Sequence, residues 1–237
     1  MILASLLCLL VGLSSDSKNM YPLAKAIACP PVAVDVSDAP EAKEWGETAK
    51  ALVEAWHPKV TELLATDGRD PVTGGSRGEA YKPPAQIKLV FKKTLNVPAH
   101  ASGDTITISA DWIARNPNDL GMVVHELTHI VQQYPPSRAK PGWLVEGIAD
   151  YIRWWRYEPE LHAGSGRTKI DAEKSNYTDS YRTTAKWLAW CSRKYDMRLV
   201  PALDKALRHR EDPMPLFEKL TGKSADALWK EFVSDQS

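Results

Sequence analysis

Apolar positions along the chain change period several times, and each change marks a boundary between elements. From Pro40 to Ala65 they recur three and four residues apart, which predicts an amphipathic helix; Thr66 to Pro84, rich in Gly, Asp and Pro, follows as a loop. Gln86 to Lys92 alternates with period two, and Thr105-Ile106-Thr107-Ile108-Ser109 does so again, so two strands are expected there. Leu120, Val123, Val124, Leu127 and Val131 restore a helical stripe. Its predicted start is Asn116-Pro117-Asn118-Asp119, with Asn116 as the cap, Pro117 at the first helical position and Asp119 at the positive end of the dipole. Leu144, Ile148 and Ile152, with Ala149 alongside, place another helix over Trp143 to Trp155. Tyr157 to Tyr177 has no clear period and holds Gly164-Ser165-Gly166, an irregular loop. Tyr181 to Tyr195, Val200 to Arg210 and Ser224 to Ser234 are helical, with Gly222 stopping one element and Ser224 capping the next. The expected class is α+β: a small N-terminal sheet, then a mainly helical C-terminal half, forming a single domain over residues 30–237.

Ile2 to Leu13 is apolar and is followed by Ser14-Ser15-Asp16, the make-up of a secretory signal peptide over about residues 1–20, although no Lys or Arg precedes it. The run is too short to span a bilayer, so a secreted chain without stable membrane insertion is expected. Cys8 would leave with that segment, and Cys29 and Cys191 would remain, open to either a disulfide or two separate thiols. The 237 residues, 43% of them hydrophobic, suffice for one sizeable core, and the formal net charge of +0 argues against bulk attraction to nucleic acid or anionic lipid. No internal repeat is present, and a chain acting as a monomer is expected.

The chemistry concentrates in His125-Glu126-Leu127-Thr128-His129. On a helix, positions 125 and 129 lie one turn apart on one face, so two imidazoles can converge on one metal ion. Glu126 points about a quarter turn away, where its carboxylate reaches a metal-activated water without becoming a ligand. A catalytic zinc site needs three protein ligands and one open position, and Glu146 on the next helix is the candidate third ligand. Asp150 shares its face at i, i+4 and is placed to orient His125 or His129 through the second ring nitrogen. Zn2+ is inferred from ligand type.

Val123-Val124-His125-Glu126-Leu127-Thr128-His129-Ile130-Val131-Gln132, then Glu146 through Arg153, then Tyr177-Thr178-Asp179-Ser180-Tyr181-Arg182-Thr183-Thr184-Ala185, resemble the basic secretory protein family of plants and bacteria, regarded as zinc peptidases. The likeness covers most of the chain beyond about residue 40 and continues to Trp229. The resemblance implies a zincin-like fold, metallopeptidase activity and a peptide or protein substrate. The second motif also looks like the glutamate helix of gluzincin peptidases, in which the glutamate is the third ligand. This chain departs from the family in being neutral rather than basic, and its gap from His129 to Glu146 is shorter than in the large zinc aminopeptidases. Either Tyr181 or Tyr177 could donate its phenol to the oxyanion of a tetrahedral intermediate, as a tyrosine does in related zinc peptidases, and both also suit packing roles. The strand preceding the metal helix, Thr105 to Ser109, is expected to form the cleft edge and to pair with an extended substrate. An inactive zinc-containing binding or defence protein and a zinc amidase acting on cell-wall peptides are the competing readings; the intact Glu126 argues against the first.

Overall fold

The computed structural model describes residues 25–75, 78, 80–136, 141–159 and 168–236. The signal-peptide segment, the Gly164 to Gly166 loop, and Ser76, Arg77 and Glu79 of the Thr66 to Pro84 loop lie outside them. The class is α+β, with one four-stranded sheet and, among the described residues, eight α-helices.

Strand β1 (Val32–Asp35) leads through a short 3-10 turn into α1 (Lys43–Leu63), and the chain returns as β2 (Ile87–Lys92), parallel to β1. β3 (Ala99–Ser102) and β4 (Thr105–Ser109) form an antiparallel hairpin in which Ser102 faces Thr105; Gly103 supplies the positive φ of 61° that so tight a turn requires. Because β4 inserts beside β2, the order is β1-β2-β4-β3 and the hairpin's first strand is left at the edge. Two of these strands, β1 and β3, are not predicted by the alternation rule. Each has only four residues, too few for a period-two signal.

β2 turns Ile87, Leu89 and Phe91 inward and leaves Lys88 and Lys92 in water. α1 lies on this sheet so closely that a Cβ on Gly46 would stand 2.9 Å from Val34 Cγ1 and 3.1 Å from Phe91 Cε2. Helix α3 (Gly121–Gln132) packs between α1 and the β3–β4 hairpin, with Val123, Val124, Leu127 and Val131 fully buried. Its start differs from the prediction. Ser109 caps a short helix, α2 (Ala110–Arg115), accepting from Trp112 N, and Asn116 ends that helix instead of opening the next. Pro117 then accepts the Trp45 indole through its carbonyl at 2.9 Å, while the Asp119 carboxylate takes the Trp112 indole at 2.9 Å and pairs with Arg153. These tertiary partners, rather than a local cap, set the position of the first turn of α3. At the other end Arg208 donates to Val131 O at 2.8 Å and to Asp204 at 2.8 Å, and Asp204 accepts from Tyr134 at 2.7 Å.

α4 (Gly142–Tyr151) continues into a π-helical turn, Ile152–Tyr157, closed by Glu158 N to Arg153 O at 2.8 Å. The sequence predicts a single regular helix to Trp155; the structure widens its end from Ile152 onward, and Trp154 within that turn is 4% exposed. α5 (Tyr181–Lys194) crosses α4, and α6 (Leu199–Arg208), α7 (Pro215–Thr221) and α8 (Ala225–Asp235) complete the helical half around Trp187, which stacks on Tyr177 at 4.5 Å and on Phe217 at 5.0 Å. Ser180 caps α5 and Ser224 caps α8, the latter as expected, and Gly222 ends α7 in the left-handed conformation. Cys29 and Cys191 are free thiols, and burial, helped by Glu54, pushes Cys29 up to about 11. Among the described residues no helix is long and apolar enough to cross a membrane.

The α4–α5 crossing depends on Gly147: a Cβ there would lie 2.2 Å from Thr184 Cγ2, whose hydroxyl is held by Tyr177 O at 2.5 Å and so cannot swing aside freely. Gly147→Ala is expected to lower stability by about 1–3 kcal/mol, whereas Gly142→Ala, which meets nothing within 4 Å, should change it little. Denaturant midpoints of the two variants check the contrast.

Candidate metal centre

His125 and His129 stand one turn apart on α3, and Glu146 comes from the second turn of α4. His125 Nε2 and His129 Nε2 are 3.2 Å apart, His125 Nε2 and Glu146 Oε2 3.2 Å, and His129 Nε2 and Glu146 Oε2 3.4 Å. A tetrahedral ion with bonds of about 2.0–2.1 Å requires its ligand atoms about 3.3 Å from one another. The three edges of this triangle therefore match one face of such a tetrahedron.

The surrounding hydrogen bonds decide which atoms carry protons. Asp150 Oδ1 is 2.8 Å from His125 Nδ1, and a carboxylate can only accept, so Nδ1 donates. Gln132 Nε2 donates to Val145 O at 3.1 Å, which turns its Oε1 toward His129 Nδ1 at 2.8 Å and makes that nitrogen the donor. Both Nε2 lone pairs are thereby aimed at the Glu146 carboxylate. Three acceptors then meet at one point, and the three residues can hold a metal ion. In the metal-free chain a proton serves: burial lowers the affinity of His125 for it, but Asp150 and Glu146, with the charge of Glu126, outweigh burial and push its pKa up to about 9. For Glu146, burial favours the neutral acid, and His125 and His129 override it, holding the carboxyl far below the usual range.

Gln132 is the residue that sequence reasoning passed over. It lies three positions after His129, and an amide at a fully buried position on an apolar helix is the signal that marks it. Glu126 is 8% exposed, and its carboxylate makes no hydrogen bond or ion pair among the described residues. It faces a cleft of about 1190 Å³ whose walls also include His125, His129, Glu146, Asp150 and Tyr181. Tyr181, the first residue of α5, is 52% exposed, and the Glu146 charge, then burial and Asp150, raise its phenol pKa and keep it a donor. Tyr177 is placed elsewhere: its hydroxyl donates to Asp226 at 3.0 Å and its ring packs against Trp143, Trp187 and Trp229. The cleft edge also differs from expectation. Val97, Pro98, Ala99, His100 and Ala101 line it, so β3 supplies the edge, and β4 is an interior strand paired on both sides.

Replacing Asp150 by Ala, or Gln132 by Leu, should each weaken metal affinity about 10–100-fold, measured by competition with a chromophoric chelator; unchanged affinity would contradict the assigned proton positions. A pH effect follows with definite sign. His125 is raised from 6.5 to about 9, so its protonated form stabilises the metal-free fold fully below 6.5 and the contribution fades as pH rises through about 9. An ion entering at neutral pH must displace that proton, and calorimetry in buffers of different ionisation enthalpy should record release of on the order of one proton per ion.

No curated protein and no solved structure matches the chain. A family described as peptidases of plants and bacteria matches residues 42–232, a span that begins before α1 and holds the ligand triangle, the cleft and the helical half. By that match the chain belongs to the basic secretory protein family, the peptidases of plants and bacteria.

Proposed function

We propose that the chain is a secreted zinc-dependent metallopeptidase that acts as a monomer on peptide or protein substrates, with His125, His129 and Glu146 holding the ion. The observation that carries this reading is Glu126, a nearly buried carboxylate beside the ligand triangle with no partner of its own among the described residues. Such a group is costly unless it works, and a structural metal site has no use for it.

A zinc ion at this triangle supplies Lewis-acid chemistry, acidifying water and polarising a carbonyl oxygen. The chain's own residues do the rest. Glu126 takes the proton of the attacking water and passes it to the leaving amine. Tyr181, at the cleft wall, donates a hydrogen bond from its phenol to the developing oxyanion. Asp150 and Gln132 keep the Nδ1 protons of both histidines in place throughout. β3 is hydrogen-bonded to β4 along one edge, and its other edge lies at the cleft, so an extended peptide can add there as a further strand.

Glu126→Gln should retain one zinc per chain and lose turnover, whereas His125→Ala should lose both; equal zinc loss in the two would overturn the division of roles. Tyr181→Phe is expected to reduce kcat about 10²–10³-fold with KM little changed, and Tyr177→Phe should instead lower the thermal midpoint through its lost bond to Asp226. Cleavage of a mixed peptide library, read by mass spectrometry with and without chelator, provides the assay.

A further inference from the structure

Two arginines line the cleft, and their surroundings differ. Arg153 pairs with Asp119 and reaches Glu158 at 3.4 Å, so its charge is answered within the fold. Arg182, the second residue of α5, makes no ion pair among the described residues. Its guanidinium carbon lies 4.5 Å from the centre of the Trp154 ring, the same ring that carries Arg153 at 4.2 Å. A guanidinium held over an indole can present its N–H edge to a bidentate carboxylate. The neighbouring Asp179, Ser180 and Tyr181 also line the cleft, so the N-terminus of α5, with its positive dipole end, opens toward the same space.

We infer that Arg182 on Trp154 is a carboxylate-binding subsite that selects peptides carrying a negative charge a few residues from the bond to be cut. The inference rests on the peptidase reading and narrows its substrate class. Trp154 follows Glu146 by eight residues along α4 and its π-helical extension, about 12 Å of helical rise, which an extended peptide covers in about three to four residues. The carboxylate belongs either to an Asp or Glu side chain or to the substrate's own C-terminus; both offer the same pair of oxygens.

Zinc-loaded Glu126→Gln protein, which should bind peptides without cutting them, is titrated by calorimetry with a hexapeptide set in which Glu is exchanged for Gln and the free C-terminus for an amide. Carboxylate-bearing peptides should bind about tenfold tighter than their neutral isosteres, and the advantage should shrink with added salt. It should vanish when Arg182→Gln is added, with zinc content unchanged. An advantage that follows Glu against Gln identifies a side-chain subsite, and one that follows acid against amide identifies C-terminal capture. Equal affinity of charged and neutral peptides, an advantage that survives Arg182→Gln, or no binding of any peptide overturns the inference. The isostere comparison on the parent protein alone suffices for this if the added variant does not fold. Glu126-dependent cleavage by the native chain without charge preference removes this inference and leaves the peptidase reading; charge-dependent binding without cleavage removes the peptidase reading alone.

Discussion

Three lone pairs that meet without a proton between them are the constraint around which this chain is organised. His125 Nε2, His129 Nε2 and Glu146 Oε2 lie 3.2–3.4 Å apart, and the opposite nitrogen of each ring is held by Asp150 in one case and by Gln132 in the other. Left to itself such a cluster repels, and a proton at His125 or a metal ion can relieve that repulsion. The fold must therefore hold two helices rigidly enough to keep the acceptors together. Gln132 does part of this directly, since the amide that orients His129 also bonds the backbone of α4 at Val145.

The remainder of the architecture supports the same two helices. α3 is gripped at its start by Trp45, Trp112 and Arg153 acting on the turn before it, and at its end by the buried Arg208–Asp204–Tyr134 group. α4 is seated on α5 through the contact of Gly147 with Thr184, and that crossing also places Tyr181 and Arg182 at the cleft wall. One helix pair thus supplies Glu146 on one side of the cleft and Tyr181 and Arg182 on the other. The sheet contributes its edge: inserting β4 between β2 and β3 leaves β3 beside α3, lining the cleft.

Much of this was legible in the sequence, for physical reasons that differ by element. The His125, His129 and Glu146 cluster follows from helical spacing, α5 from periodicity, and α8 from periodicity and its serine cap, because each signal lies within a few consecutive residues. What the sequence hides is set by partners distant along the chain. Asn116 and Asp119 have the composition of a helix start, yet Asp119 is drawn to Trp112 and Arg153, and α3 begins later. β3 is too short to show alternation, so the sequence points to β4 as the edge strand, whose period is clear but whose two sides are both paired. Tyr177 and Tyr181 are indistinguishable by type and neighbourhood in sequence. Only packing separates them, sending one into the aromatic core against Trp187 and the other to the cleft.

As proposed, the triangle holds a catalytic ion with one position open to water. Zinc-edge X-ray absorption on purified protein, with metal content determined on the same sample, tests this most directly. It should show one ion per chain bound by two imidazole nitrogens and one carboxylate at about 2.0–2.2 Å, with an additional light-atom ligand that exchanges for an added inhibitor. Sulfur in the coordination shell, a closed shell of four protein ligands, or a protein that acquires no metal at neutral pH would contradict it.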